Sequence, residues 1–139
     1  MKKAAEKVLC YRFDGETFET THAALRKLGI ECRALPEESW REKVGFLLGM
    51  GGFTPAPQTD DAPPDFDFFE PVMVLGHVKG KRLDQVLAAL KAAGIPPIRY
   101  KAVATPFNTF WTLRRLCETM KKEHEYMMTE GAKKDDGKA

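Results

Sequence analysis

The chain carries few side chains able to do covalent or metal chemistry. It has three cysteines, three histidines and a single serine, Ser39. A serine nucleophile needs a sharp strand-to-helix turn of the G-x-S-x-G kind, and Ser39, within PEESW, does not sit in one. Cys10, Cys32 and Cys117 stand in no CxxC or CxxH spacing, so they read as reduced core thiols rather than a metal or disulfide framework. A catalytic cysteine needs a lowered pKa in an exposed, electropositive setting. Cys10 lies in a predicted strand and Cys32 near a strand end, and both read as buried. Cys117, after Arg114 and Arg115, comes nearest to that setting. His22, His77 and His124 fall on three different elements, with no metal-ligand spacing between any two. Glu123, His124 and Glu125 suggest acid–base chemistry, but on a helix the two glutamates point to different sides of His124. Met120 and Met127 extend the apolar stripe through that histidine. GMGG at 49–52 follows a helix and lacks the GxxxxGK[ST] frame of a phosphate loop. The expectation is no catalytic residue, no metal site and no cofactor.

Polar groups concentrate at one junction, residues 101–111, KAVATPFNTFW. It runs off the end of the fourth predicted strand into the start of the last helix. Ligands of open α/β sheets bind beyond the carboxyl ends of strands, and helix N-termini offer free N–H groups to anions. Lys101, Thr105, Asn108 and Thr109 are therefore the candidate ligand-binding residues, for a small anionic ligand. The same residues also fit a plainer role: Asn108 as a helix cap, Thr105 as a turn residue and Trp111 as core.

These candidates must be positioned by regular elements. Residues 8–13, VLCYRF, are apolar and β-prone and precede Asp14 and Gly15, predicting strand one. Phe18, His22, Leu25 and Leu28 share a helical face that ends at Gly29. Residues 30–35 alternate as strand two, stopped by Pro36, and 39–49 return to helical spacing through Trp40, Val44, Leu47 and Leu48. Residues 54–70 hold four prolines and five acids and read as a linker. The order then restarts with strand 72–78, a helix marked by Leu83, Val86, Leu87 and Leu90, the cap Gly94, strand 98–103, and a helix from Asn108 carrying Leu113, Leu116, Cys117, Met120, His124 and Met127. Nothing apolar repeats from Thr129 on, so 129–139 are expected to be a disordered tail.

Shifting the sequence by 65 residues lays ALRKLGI (24–30) on ALKAAGI (89–95). Ala23, Ala24, Leu25, Gly29 and Ile30 then meet identical residues. A few extra residues enter the second copy after that, and Trp40 is expected to correspond to Trp111. The predicted fold class is α/β, or α+β in two layers: a single domain over 1–128 made of two βαβα repeats (7–53 and 71–128) around a four-stranded sheet. The repeats can interleave in a ferredoxin-like antiparallel sheet, or lie side by side as two parallel pairs. The pattern leaves both open.

The string KAVATPFNTFWTL with a later KKEHE also resembles the uncharacterised bacterial domain-of-unknown-function family numbered 3783. The positions that carry the likeness are Lys101, Ala102, Val103, Thr105, Asn108, Trp111, Thr112, Leu113, Glu123 and His124, with a fainter echo in VLCYRF and in Gly45, Leu47, Leu48 and Gly49. The resemblance covers residues 7–126. It implies a fold and a bacterial, cytoplasmic origin, but no reaction.

Bulk composition narrows the class. At 43% hydrophobic and 30% charged, the chain has the balance of a globular domain and not of a disordered one. No apolar run approaches the roughly 18 residues that span a bilayer, and the N-terminus, MKKAAEKVLC, has no apolar signal region. No membrane association and a cytoplasmic location are expected. Charge is uneven, −4 over residues 1–70 and +6 over 71–139. The leading expectation is a non-catalytic small-ligand-binding or protein-interaction domain, as a homodimer or regulator-like module, with its site where strand four meets the last helix. The alternatives are a small enzyme with a site between the repeats, or a nucleic-acid-associated factor using the basic second half.

Overall fold

The computed structural model describes residues 5–57 and 66–136, with side chains as far as 129. Four strands, β1 (Lys7–Tyr11), β2 (Glu31–Leu35), β3 (Val72–Gly76) and β4 (Tyr100–Val103), form one sheet in the order β2-β1-β3-β4. β1 pairs with β2 in parallel, β3 pairs with β4 in parallel, and β1 pairs with β3 antiparallel. The chain is therefore α/β with its two βαβ units side by side, and the ferredoxin-like interleaving does not form. The reason is visible in the strands themselves. Every residue of β3 and the last four of β1 are buried, so both must lie in the middle of the sheet, whereas β2 exposes three of its five residues and β4 buries only Tyr100, as edge strands do.

The crossover helices are α1 (Gly15–Arg26) and α3 (Lys81–Ala92). Asp14 caps α1 by accepting a hydrogen bond from the Thr17 N–H at 2.7 Å. Both helices end on a left-handed glycine, Gly29 with φ 75° and Gly94 with φ 83°, a backbone shape that a Cβ would strain. The two helices touch each other over one face of the sheet. There Leu25, Val86, Leu90, Ile30 and Ile95 pack on Val8, Cys10, Cys32, Met73 and Leu75. The other face carries Leu9, Tyr11, Val72, Val74 and Tyr100, covered by Val44, Leu47, Leu48, Leu113, Leu116 and Cys117.

Two helices predicted from sequence start later than their apolar spacing suggests. Residues 39–49 divide into a 3-10 turn, Glu37–Arg41, an extended step, and the short α2 (Val44–Leu47). The last helix likewise follows a 3-10 turn, Asn108–Phe110, and begins as α4 at Leu113, running to Asp136 beyond the end of the apolar stripe at Thr129. In both cases the backbone is drawn straight to pair across the units. Lys43 and Thr112 form an antiparallel bridge, in which Val44 N–H donates to Trp111 O and Leu113 N–H to Glu42 O, each at 2.9 Å.

Equivalent positions of the two units thus meet. Lys7 maps onto Val72 and Leu9 onto Val74, an offset of 65, and Leu9 pairs directly with Val74 in the sheet. Glu31 maps onto Tyr100 and Lys43 onto Thr112, an offset of 69, and Lys43 pairs directly with Thr112. Such self-pairings mark an approximate two-fold axis through the sheet and the bridge. They also correct the expected tryptophan match: at an offset of 69, Trp40 falls on Thr109, and Trp111 falls on Glu42.

Leu113 is fully buried where α4 meets the sheet, while Met127 on the same helix is 71% exposed. Leu113→Ala should lower stability by about 2–5 kcal/mol in urea denaturation, and Met127→Ala by no more than about 0.5 kcal/mol.

Candidate functional site

Three of the four residues expected at the β4–α4 junction are brought together, and they bond to one another. Thr105 N–H donates to Asn108 Oδ1 at 2.8 Å, Asn108 N–H donates to Thr105 Oγ1 at 3.0 Å, and Asn108 Nδ2 reaches Val103 O at 3.1 Å. Thr109 is buried, and its hydroxyl donates to Pro106 O. This reciprocal pattern is that of a capping box, and it directs these groups at the local backbone. Lys101 stands apart: its Nζ donates to Ile98 O, and it lines a separate hollow.

Two hollows flank a ridge formed by Pro96 and Pro97, in the connection from α3 to β4. The first, about 390 Å³, lies beyond the carboxyl end of β1. Its walls are Arg12, Phe13, Asp14 and Thr17 from the start of α1, Glu70 and Pro71 before β3, and residues 95–99. The second, about 350 Å³, lies between the same loop and α3, lined by Leu87, Leu90, Lys91, residues 95–98 and Lys101. The loop is the place where the offset between the units changes from 65 to 69, so the second unit exceeds the first by four residues there. The sequence shows only that a few extra residues enter the second copy; the strand registers place them at 96–99, Pro96 and Pro97 included. Only the folded chain shows that they wall two cavities.

Arg12 is the residue that sequence reasoning missed most completely. It has φ 62° and occupies the position equivalent to His77, which also has φ 62°. Non-glycine residues seldom adopt this region. In both units the chain leaves a buried central strand here and must turn at once into a crossover helix. The Arg12 guanidinium pairs with Glu37 at 2.6 Å and lies over the rings of Tyr11, Phe66 and Phe69 at 5.1–5.7 Å. Its buried Nε has no hydrogen-bond partner among the described residues. The neighbouring Tyr11 hydroxyl donates to Glu37 O at 2.7 Å, and burial pushes its pKa up to about 12, so it remains a donor at neutral pH.

The remaining candidates disperse. His22 stacks on Phe18, His124 sits edge-on to Tyr100, and His77 is an exposed turn residue. Among the described residues no group of three His, Cys, Asp or Glu side chains is placed to hold a metal ion. The basic residues of the second half are divided between the two faces of the sheet. Arg82 of α3 grips Glu6 and Leu28 O, while on α4 Arg114 pairs with Glu118 and Arg115 covers the Trp111 ring. No described helix is long and apolar enough to cross a membrane.

Residues 71–127 match the family model described as a domain of unknown function, DUF3783. The match begins one residue before β3 and ends within α4, so it spans the second unit. The likeness rests on that unit, with residues 7–70 outside it. No curated protein and no solved structure matches the chain.

Asn108→Ala should cost about 0.5–2 kcal/mol of stability, as loss of a helix-start cap does, read as a lower urea midpoint. Asp14 gives a pH signature. The Thr17 N–H and hydroxyl hold its carboxyl below the ordinary value of 3.8. Its folded pKa is depressed, so its contribution is full above pH 3.8 and is lost as pH falls through the lower folded value. Asp14→Ala should destabilise the protein at neutral pH and flatten the acid limb of its stability–pH curve, measured by thermal melts from neutral to acid pH.

Proposed function

We propose that the chain is a non-catalytic small-ligand-binding domain whose site is the pair of hollows on either side of Pro96 and Pro97. The observation that carries this reading is that both hollows are built on the four residues by which the second unit exceeds the first. Their volumes lie in the range of pockets that take small organic ligands, roughly 300–1,000 Å³. Their walls combine apolar surface from Phe13, Ile95, Pro96, Pro97 and Ile98 with charged groups, Arg12 and Arg99 beside Asp14 and Glu70 at the first and Lys91 and Lys101 at the second. A small organic acid or phosphate ester with an apolar body fits that chemistry: its anionic group faces the guanidinium and ammonium groups, and its body lies on the proline ridge. In this reading Lys101 contacts the ligand, while Thr105, Asn108 and Thr109 act indirectly by fixing the 3-10 turn Asn108–Phe110 that leads to α4.

A thermal-shift screen of small carboxylates, phosphates and nucleotides tests it. A ligand at about 100 times its Kd should add about 2.7 kcal/mol of apparent stability. Arg99→Ala or Lys101→Ala should weaken that ligand about tenfold or more, while Asn108→Ala, though less stable, should bind it unchanged. No stabilisation by any ligand, or equal affinity in Arg99→Ala and Lys101→Ala, would rule the site out. Conversion of a stabilising ligand would move the assignment to an enzyme, and steeply salt-dependent retention on DNA or RNA to a nucleic-acid factor.

A further inference from the structure

Cys10 of β1 and Cys32 of β2 place their sulfurs 3.5 Å apart inside the face covered by α1 and α3. This pair belongs to the first unit alone, because its counterparts in the second are Leu75 and Lys101. We propose that Cys10 and Cys32 form a redox-active dithiol that a hydroperoxide closes to a disulfide.

Three features of the structure carry this. First, the sulfurs are already in contact, with one thiol placed to donate to the other. Second, the two cysteines differ in access. Cys10 is sealed in the core, whereas Cys32 is one of the residues lining a shallow surface hollow with His22, Arg26 and Glu31. The hydrogen bond shared with Cys10 holds the Cys32 thiol below its ordinary pKa against the opposing effect of burial, while the same contact and burial raise Cys10. Cys32, which borders the hollow, is thus the sulfur an oxidant reaches first, with Cys10 sealed behind it. Third, the strand that must move lies at the edge of the sheet. Cys10 pairs with Ala34 and Cys32 with Val8, so the two cysteines lie on a diagonal of the ladder. Closing the contact to the roughly 2.05 Å of an S–S bond draws β2 along β1, and β2 is an edge strand with no partner on its other side.

The reaction balances within the pair and its oxidant. The Cys32 thiolate attacks the peroxide: an S–O bond forms, the O–O bond breaks, and the leaving oxygen takes up a proton as water or an alcohol. The Cys10 sulfur then attacks the sulfenic acid at Cys32. The S–S bond forms, the S–O bond breaks, and the departing hydroxyl leaves as water with the Cys10 proton. Two electrons pass from the thiols to the peroxide. Cys117 is an internal control, since it is fully buried with no sulfur partner, and burial pushes its pKa up to about 12.

The test treats the folded protein with hydrogen peroxide, quenches it, unfolds it in an alkylating agent, and maps the peptides by mass spectrometry. The expected result is one alkylated cysteine, Cys117, together with a cross-linked Cys10–Cys32 peptide that a reductant releases. The same result is expected in Cys117→Ser, while Cys10→Ser should leave Cys32 as a sulfenic or sulfinic acid with no intramolecular cross-link. Alkylation of all three cysteines, over-oxidation of the wild type without a cross-link, or a cross-link involving Cys117 would overturn the proposal. Wild type and Cys117→Ser decide it even if Cys10→Ser fails to fold.

Discussion

Leu9 and Val74 face each other at the centre of the sheet, each at the same place in its own unit, and the rest of the molecule is arranged around that contact. β1 and β3 bury nearly every side chain. Strands buried on both faces cannot lie at an edge, so they pair with each other, and their partners β2 and β4 take the edges. The crossovers then place α1 and α3 together on one face. The segments after β2 and β4 must cover the other face, and they meet across the same axis at Lys43 and Thr112. Neither unit completes a core alone. α4 packs on the turn at Glu37–Arg41, and α2 packs on the turn at Asn108–Phe110, so each half closes over the connection of the other.

That dependence explains which features could be read from the chain in one dimension. Local patterns showed the four strands, the two crossover helices and the cap glycines, because apolar spacing and left-handed turns are local. The apolar run VMVLG marked a strand, but its place in the middle of the sheet emerged only from the pairing. The breaks at residues 42–43 and 111–112 were hidden, because the hydrogen bonds that straighten the chain there come from the other unit. The tryptophan match failed for a related reason. A four-residue insertion shifts every later equivalence, and like residue types near the same place are weaker evidence than backbone pairing. At the candidate site, Asn108 and Thr105 looked equally suited to a ligand and to a cap, and only the reciprocal hydrogen bonds distinguish the two. Arg12 was invisible because its meaning lies in its backbone angle and in rings from residues 66 and 69, distant in sequence.

The two units share a frame and differ in what they add to it. Position 12 and position 77 make the same left-handed turn out of a central strand, but Arg12 enters a bed of aromatic rings and His77 faces solvent. The first unit pairs two thiols where the second has a leucine and a lysine. The second inserts a proline ridge where the first passes from Gly29 into β2 with a single residue between. A symmetric frame of this kind fixes the positions of strand ends and helix starts without requiring any particular side chain there. The positions outside the self-pairings on the axis are therefore the ones free to diverge.

The route from the thiol pair to the ridge is short enough to matter for function. β2 holds Cys32 and ends at Leu35, and two residues later Glu37 grips Arg12 and accepts from Tyr11. Arg12 in turn lines the larger hollow. Glu37 therefore ties the end of β2 to the cation at that hollow, through a few residues of continuous backbone. The sulfur pair of the first unit and a hollow walled by both units thus lie at the two ends of one short stretch of chain, joined by the Arg12–Glu37 ion pair. Within the sheet β2 is paired with β1 alone, while its Cys32 and Leu35 pack into the cores on opposite faces.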